Sequence, residues 1–292
     1  MQAVRNGTCR HQEIVANTCL VLKLSTIFEM TSTRLAAANL VMRRLAAQDG
    51  LGEAGYLRER LNPQPGDELY LHLSDLLIAL KALFPTHVSM VFDYGCGGSP
   101  YRPLFGSCTY HRADLSGGHN LDFEYGPDSK LPSEVSGYDC VLSTQVLEHV
   151  EDPESYLREC YRVLRPGGCL VLTTHGLYED HACPYDYWRW TAYGLKRLVE
   201  NSGLKIEAVK KLTTGPRSAV FLAERELHRL RFGAAGPYGK LLSIGVRAVR
   251  RLGSQRRHET CDISFAANRV VDIKEPDHNM YVAIALLASR RQ

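Results

Sequence analysis

The sequence predicts an α/β fold, a seven-stranded and mostly parallel sheet with helices on both faces. Three observations predict it. Short apolar runs alternate with helical patterns through most of residues 87–213. The run VFDYGCGGSP at 91–100 carries a strand directly into a glycine cluster. The run YDCVLS at 138–143 is apolar on both faces at its centre, which is typical of a buried parallel strand.

Four segments are expected along the 292 residues. They are a weakly structured N-terminal extension (1–29), a helical cap (30–85), the α/β domain (86–216 and 276–292) and a basic helical insertion before the last strand (217–275). The net charge of +3 is too small by itself to indicate a nucleic-acid partner, and 45% hydrophobic residues suit a globular chain with a sizeable core.

The first half of the α/β pattern begins with a helix over 68–84, whose leucines fall on one face and which Pro85 ends. Strands are expected at His87–Asp93, Thr109–Ala113 and 138–143. The polar stretch after Asp114 has no helical pattern.

The second half begins at Asp152-Pro153, where a capping carboxylate precedes a proline at the first helical position. That helix is expected to end at Pro166-Gly167-Gly168. A strand at 169–174, a helix capped by Thr191 and ended at Gly203, and strands at 204–212 and 280–288 complete the pattern.

The nine cysteines are scattered and include no Cys-x-x-Cys pair, so neither a zinc knuckle nor a redox pair is predicted, and no metal site is expected. The run from Ile14 to Phe28 contains Lys23 and is too short and polar to span a bilayer. A reducing, cytoplasmic location fits the cysteine pattern, with peripheral membrane contact as an alternative.

The glycine loop indicates the cofactor. A dinucleotide fold uses G-x-G-x-x-G, but Pro100 stands where the third glycine would fall. Asp93, two residues before Gly95, would repel a pyrophosphate and suit a positively charged group. Asp114, at the end of the next strand, is placed to accept from two ribose hydroxyls. The pattern therefore favours S-adenosylmethionine over NAD.

The segments FDYGCGGSP, ADLS at 113–116, STQVLEHVEDP at 143–153 and RVLRPGG at 162–168 together resemble the class I S-adenosylmethionine-dependent methyltransferases, in particular the bacterial type-11-like group of polysaccharide and envelope gene clusters. The resemblance implies a Rossmann-like fold and S-adenosylmethionine as cofactor. It places the methionine side at the glycine loop, ribose at Asp114, adenine near Asp128 and Ser129, and the sulfonium beside Gln145. The expected cofactor-binding residues are Asp93, Tyr94, Gly95, Cys96, Gly97, Asp114, Leu115, Asp128, Ser129, Thr144 and Gln145.

The acceptor site is expected in THGLYEDHACPYDYWRWT at 174–191, which follows a strand end and holds both tryptophans of the chain. It resembles the H-x-x-P-x-D-x-W-R-x-T stretch of methyltransferases from such clusters. His175 or His181 is the candidate base, with His175 favoured, and Asp186 would orient a histidine. The expected substrate-binding residues are Tyr185, Tyr187, Trp188 and Arg189. The alternative is a structural corner that closes the cofactor pocket.

Residues 217–257 hold ten Lys or Arg and two acids, a net charge of +8. Within them GKLLSIGVRAVRRLG at 239–253 is amphipathic, with basic residues on one face. Such a helix serves as a lid, as a contact in a homodimer or as a contact with an anionic membrane. No recognised nucleic-acid module accompanies the charge, so no nucleic-acid partner is expected.

Together these features predict methyl transfer to an oxygen, or less favourably a nitrogen, of a small-molecule or glycolipid acceptor. Two alternatives stay open. One is a cofactor-binding scaffold protein without catalytic activity, and the other is an NAD-dependent nucleotide-sugar oxidoreductase.

Overall fold

The computed structural model describes residues 53–115, 120–181, 185–229, 244, 253–273 and 279–291. Residues 51–292 form one compact unit. The predicted extension at 1–29, the first part of the predicted cap and all of the amphipathic run 239–253 except Ile244 and Gly253 lie outside the described residues. The helices are α1 (Glu53–Leu61), α2 (Tyr70–Leu83), α3 (Pro153–Val163), α4 (Ala192–Asn201), α5 (Gly215–Arg229) and α6 (253–264).

The described strands form one eight-stranded sheet in the order β3-β2-β1-β4-β5-β8-β6-β7. The strands are β1 (Met90–Tyr94), β2 (Thr109–Leu115), β3 (Phe123–Tyr125), β4 (Tyr138–Thr144), β5 (Leu164–His175), β6 (Lys205–Thr214), β7 (Val270–Asp272) and β8 (Tyr281–Ser289). Strands β1 to β5 pair in parallel, and β8 runs antiparallel between β5 and β6. The predicted α/β class and mostly parallel sheet are confirmed.

The sheet has eight strands where the sequence predicts seven. The strands β3 and β7 have three residues each and lie at the two edges of the sheet, and the sequence shows no strand signal at either. A three-residue strand is too short to show the period-2 alternation by which strands are recognised. The segment predicted as an insertion, 217–275, contains most of α5, all of α6 and the edge strand β7.

The predicted end of α3 at Pro166-Gly167-Gly168 is wrong. The helix ends at Val163, and Leu164 is already extended and pairs with Tyr138. The two glycines belong to β5, where the Gly167 amide donates to the Arg290 carbonyl. Gly168 is required by close packing, because a Cβ there would lie 2.9 Å from the Tyr138 carbonyl oxygen. The caps at Asp152 and Thr191 are confirmed, since their side chains accept from the amides of Ser155 and Gly194.

Two apolar cores cover the two faces of the sheet. On one face α3 and α4 pack through residues such as Tyr156, Leu157 and Leu195. On the other face α2 packs through Leu73, Leu76 and Leu80. Successive side chains of β1 point to opposite faces of the sheet, so Val91 belongs to one core and Phe92 to the other. No helix in the described ranges is both long and apolar enough to cross a membrane.

A buried ion network joins α2 to the insertion. The fully buried guanidinium of Arg217 donates to both oxygens of Asp75, at 2.7 and 3.0 Å, and to Asp262 at 2.8 Å. Arg269 also donates to Asp75, at 2.8 Å. Arg217 was counted among the basic residues of the insertion, but its charge is neutralised inside the protein.

Candidate active site

The glycine loop lies where the strand order reverses, since β1 pairs with β2 on one side and β4 on the other. Ligands of open α/β sheets bind at the carboxyl edge of such a point. The amides of Gly95 and Cys96 donate to the Ala113 carbonyl at 2.8 and 3.0 Å. Gly95 has φ +76°, and a Cβ there would lie 2.6 Å from Val146 Cγ2. Only glycine fits this turn.

Two carboxylates flank the loop, as the sequence predicts. Asp93 is 2% exposed and accepts from the Tyr110 hydroxyl at 2.7 Å. Burial raises the pKa of Asp93 to about 7, against the opposing hydrogen bonds from Tyr110 and Ser99. Asp114 accepts from the amides of Gly97 and Leu115, both at 2.7 Å. A carboxylate has about four acceptor sites, so Asp114 keeps capacity for two further hydroxyl donors.

The predicted adenine side lies beyond β3. Asp128 is exposed, and its Oδ1 accepts from the Lys130 amide at 3.3 Å. The Ser129 side chain is buried, and its carbonyl accepts from the Tyr94 hydroxyl. Tyr94 is fully buried in the core, where its ring packs on Tyr125 and Tyr156. The predicted contact of Tyr94 with the cofactor would therefore come from its backbone, because its side chain is used for packing.

Strained backbone is concentrated around this crevice. Ser99, Ser129 and Gln145 have φ of 49°, 56° and 56°, a region costly for residues with a Cβ. Such strain costs about 1–3 kcal/mol per residue and clusters at ligand sites. Gln145 bonds Thr173 through its amide nitrogens, while its buried Oε1 has no hydrogen-bond partner among the described residues. Its neighbour Thr144 ends β4 half-buried.

The crevice fits an adenosyl cofactor better than a pyrophosphate. The amides of Gly95, Cys96 and Gly97 all donate to protein acceptors, so they are not free to bind phosphate oxygens. Two carboxylates add negative charge, which suits hydroxyl donors and a cationic group. Cys96 is buried, and burial raises the pKa of its thiol to about 12. The thiol is therefore neutral near pH 7, so no thiolate chemistry is expected there.

Beside the crevice lies a histidine cluster, defined here as His72, His149, His175, His181 and the carboxylate Glu148. The His175 ring centroid lies 5.6 Å from that of His72 and 5.1 Å from that of His181. His149 and His181 lie 4.8 Å apart in a perpendicular arrangement. The strand end of β5, helix α2 and the turn after β4 each supply part of the cluster.

Glu148 is the buried anion of the histidine cluster. It is 0% exposed, its Oε2 accepts from the Thr174 hydroxyl at 2.8 Å, and its Oε1 lies 3.2 Å from His175 Nε2. Burial raises the pKa of Glu148 to about 7, while hydrogen bonds from its own amide and from Thr174 oppose this. Burial also holds the pKa of His175 well below its ordinary value, with the nearby His72 as the next cause. Tyr178 stacks on His175 at 4.0 Å.

Arg189, which the sequence predicts to bind an anionic substrate group, uses its guanidinium for contacts within its own loop. A guanidinium has five N–H donors. All five are used inside the loop, in a bidentate pair with Asp186 and in bonds to the carbonyls of Tyr178, Glu179 and Trp188. Arg189 therefore holds the loop together. On this point the structural-corner alternative describes the residue better.

Asp186 has two roles in the same loop. Its Oδ2 accepts from the His181 amide at 2.9 Å and lies 3.4 Å from His181 Nδ1. Burial pushes the pKa of Asp186 upward, but hydrogen bonds from Arg189 and His181 outweigh it and hold the pKa below the usual range. The carboxylate is therefore beside a histidine, at the position where the sequence predicts an orienting group.

The predicted aromatic side chains remain accessible. Tyr185, Tyr187 and Trp188 are 52%, 44% and 39% exposed. Trp188 is anchored through its indole N–H, which donates to the Val150 carbonyl at 2.8 Å. Tyr185 and Tyr187 lie with their ring centroids 5.7 Å apart. These rings border the site and are not buried in the core.

The sequence patterns single out neither Glu148 and His149 nor His72 and Tyr178 as site residues. The available signal was a glutamate four residues after the end of β4, at the sheet edge where ligands bind. His72 gives no such signal, since it stands within the leucine-rich pattern of α2. Its burial beside His175 depends on how α2 packs on the sheet.

The chain is similar to known methyltransferases. Residues 92–172 match the family model described as a methyltransferase domain. A probable S-adenosylmethionine-dependent methyltransferase of Mycolicibacterium smegmatis is 28% identical over 163 residues, 52% of this chain and 61% of that protein. A ubiquinone biosynthesis O-methyltransferase of Parvibaculum lavamentivorans is 26% identical over 136 residues, 41% of this chain and 49% of that protein. The chain thus spans less than two thirds of these relatives.

Among solved structures, phosphoethanolamine N-methyltransferase 2 of Haemonchus contortus, in complex with S-adenosyl-L-methionine, aligns with a TM-score of 0.46 and 17% identity. The alignment covers 86% of this chain and 60% of that one.

Proposed function

We propose that the protein transfers a methyl group from S-adenosylmethionine to an oxygen, or less favourably a nitrogen, of a small-molecule or lipid-linked glycan acceptor. The match of residues 92–172 to the methyltransferase domain model supports this proposal. One observation carries the proposal. The glycine loop and Asp114 stand at the same sheet edge as β5, whose last residue is the buried His175. Cofactor and acceptor would therefore meet at that edge.

Hydrogen-bond acceptors of this chain would hold the cofactor. When bound, it supplies a methyl group on a cationic sulfur. Asp114 would accept from the ribose hydroxyls while keeping its bond to the Gly97 amide. Asp93 would balance the positive charge of the methionine end, and the unpartnered Gln145 Oε1 would face the sulfonium side. Holding both reactants in one geometry is the main contribution an enzyme makes to such a transfer.

His175 is the proposed proton acceptor for a hydroxyl. Its Nε2 lies 3.2 Å from Glu148, and its Nδ1 has no hydrogen-bond partner among the described residues. With its hydrogen on Nε2, beside the Glu148 carboxylate, the ring keeps a lone pair on Nδ1. Glu148 is then a positioning residue, and His181 with Asp186 is the second candidate pair.

The acceptor class rests on two features. Exposed rings of Tyr185, Tyr187 and Trp188 suit stacking against an apolar or sugar face. The net charge of +8 over 217–257 suits an anionic acceptor or membrane surface, and self-association is the other use of this segment. Within the described residues, however, Arg217, Arg225 and Arg257 form ion pairs with acidic side chains of the same chain, which reduces the net positive charge available to a partner.

The cofactor is tested by calorimetry with S-adenosylmethionine and with NAD. We expect binding of the first only. Asp114→Ala should weaken binding by roughly 10- to 150-fold, since a hydrogen bond to a charged group contributes about 1.5–3 kcal/mol. Glu124→Ala is the matched control, because Glu124 is exposed on β3 directly beside Asp114. Binding of NAD, or equal affinity in Asp114→Ala, would contradict the proposal.

The reaction is tested by incubation with methyl-labelled cofactor and with fractionated lipid, glycan and small-molecule extracts. Label in the lipid-linked fraction supports a glycolipid acceptor, and label confined to polar small molecules excludes it. His175→Gln should lose label transfer and keep cofactor binding. A wild-type protein that binds the cofactor and labels none of the fractions would instead support the scaffold alternative.

A further inference from the structure

The histidine cluster contains three side chains arranged as ligands. One side-chain ligand atom from each of Glu148, His149 and His181 lies within 4.8 Å of those of the other two. Glu148 and His149 are neighbours in the turn after β4, and His181 approaches from the loop after β5. Two imidazoles and one carboxylate form a donor set that binds first-row divalent ions.

Hydrogen bonds already fix the two imidazoles for coordination. His149 Nδ1 lies 2.6 Å from the Tyr185 carbonyl, an acceptor, so this nitrogen carries the proton and Nε2 keeps a lone pair. His181 Nδ1 faces two acceptors, the Glu179 carbonyl at 3.2 Å and Asp186 Oδ2 at 3.4 Å, with the same result. Metal-binding histidines usually donate their second nitrogen to a carbonyl or carboxylate in this way.

The carboxylate is also incompletely bonded. Glu148 is fully buried and bonds Thr174 through Oε2, while Oε1 has no hydrogen-bond partner within the described ranges. A buried carboxylate oxygen without a partner costs free energy unless a cation or donor occupies its lone pairs. His175 Nε2 lies 3.2 Å from this oxygen without forming a hydrogen bond to it. A cation between Glu148, His149 and His181 would satisfy this oxygen.

From this arrangement we infer that Glu148, His149 and His181 bind a divalent transition-metal ion. The inference departs from the sequence expectation of no metal site, which rested on the cysteine pattern. Three protein ligands leave coordination positions open, as in catalytic rather than structural sites. A hydroxyl bound at an open position loses its proton more readily. That role rests on the proposed function, whereas metal binding itself does not.

The test uses the full chain after removal of metal with a chelator. Titration with Co²⁺ should show one tightly bound equivalent and a visible absorption spectrum. Zn²⁺ should displace the bound Co²⁺, whereas millimolar Mg²⁺ should not, because imidazole ligands disfavour Mg²⁺. His149→Ala and His181→Ala should each weaken Co²⁺ binding by more than the roughly 10–100-fold that loss of an outer partner costs. His87→Ala, an exposed histidine outside the cluster, should bind as wild type.

Two outcomes would overturn the inference. One is a wild-type chain that binds Co²⁺ no more tightly than His149→Ala and His181→Ala. The other is a spectrum retained in both variants, which would place the ion elsewhere. Circular dichroism and cofactor calorimetry on the same variants show that they fold. If the chain binds S-adenosylmethionine but not Co²⁺, only this inference is contradicted. If it binds Co²⁺ but not S-adenosylmethionine, only the proposed function is contradicted.

Discussion

At the scale of single residues, Gly95 shows how strictly one position is determined. Gly95→Ala should destabilise the protein by about 2–5 kcal/mol, because left-handed backbone costs an alanine about 1–2 kcal/mol and overpacking about 1–3. The added Cβ would lie 2.6 Å from Val146 Cγ2. Denaturant unfolding measures the change. Val146→Ala in the Gly95→Ala background should recover the packing part and leave the backbone part, and a double variant no more stable than Gly95→Ala would contradict this account.

Asp93 should make cofactor binding depend on pH. Burial raises its pKa to about 7, against hydrogen bonds from Tyr110 and Ser99, and the nearby Asp114 raises it while Arg112 lowers it. A cationic ligand favours the ionised form, so binding should lower this pKa and release about half a proton at pH 7. Affinity should therefore rise as pH rises from about 6 to 8.

Calorimetry in buffers of different ionisation enthalpy measures this proton directly. Asp93→Asn should bind more weakly and release none. Proton release that is unchanged in Asp93→Asn would assign the effect to another group.

The sequence predicts individual site residues where a local rule applies. Asp93, Gly95 and Asp114 follow from strand ends and turn chemistry, and all three lie at the crevice. The contacts of Arg189 could not be predicted, because three of its five acceptor atoms are backbone carbonyl oxygens, which a residue pattern does not display.

At the scale of elements, the buried ion network should be the strongest link between α2 and the insertion. Asp75→Ala leaves Arg217 fully buried and without its main partner, and Arg269 loses the same carboxylate. Breaking a buried pair in this way costs about 3–5 kcal/mol. Guanidinium unfolding of Glu154→Ala provides the control, because the exposed Glu154–Arg158 pair of α3 should contribute about 0.3–0.5 kcal/mol. Equal losses in the two variants would show that the network contributes little.

Most elements could be predicted because their signals are local. The caps at Asp152 and Thr191 and the apolar stripe of α2 each lie within a few residues. The end of α3 could not, because Leu164 leaves the helix to pair with Tyr138, 26 residues earlier in the chain. The edge strands β3 and β7 also depend on partners distant in sequence.

At the scale of the whole molecule, an ion pair joins α5 to the loop after β5, where the acceptor site is expected. Arg225 donates to Glu179, whose carbonyl in turn accepts from Arg189, and it also pairs with Glu68. Arg225→Met should therefore loosen the loop, and hydrogen exchange should speed up at the amides of Tyr187, Trp188 and Trp190. Arg158→Met on the surface of α3 should leave those amides unchanged. Unchanged exchange in Arg225→Met would mean that the loop is held by Arg189 and Asp186 alone.

The histidine cluster is formed by packing between distant parts of the chain, so local sequence patterns do not predict it. His72 and His175 lie more than a hundred positions apart, and only the packing of α2 against the sheet brings their rings to 5.6 Å. The glycine loop and its carboxylates, in contrast, follow from adjacent strand ends.

The position of β8 has a consequence for synthesis of the chain. Tyr281–Ser289 pairs with β5 on one side and β6 on the other, so until these residues leave the ribosome both neighbours carry open edges. Unpaired edges of apolar strands are where nascent chains aggregate. Residues 281–289 must therefore be synthesised before the sheet can close, and a chaperone that shields β5 and β6 during that interval would raise the yield of native protein.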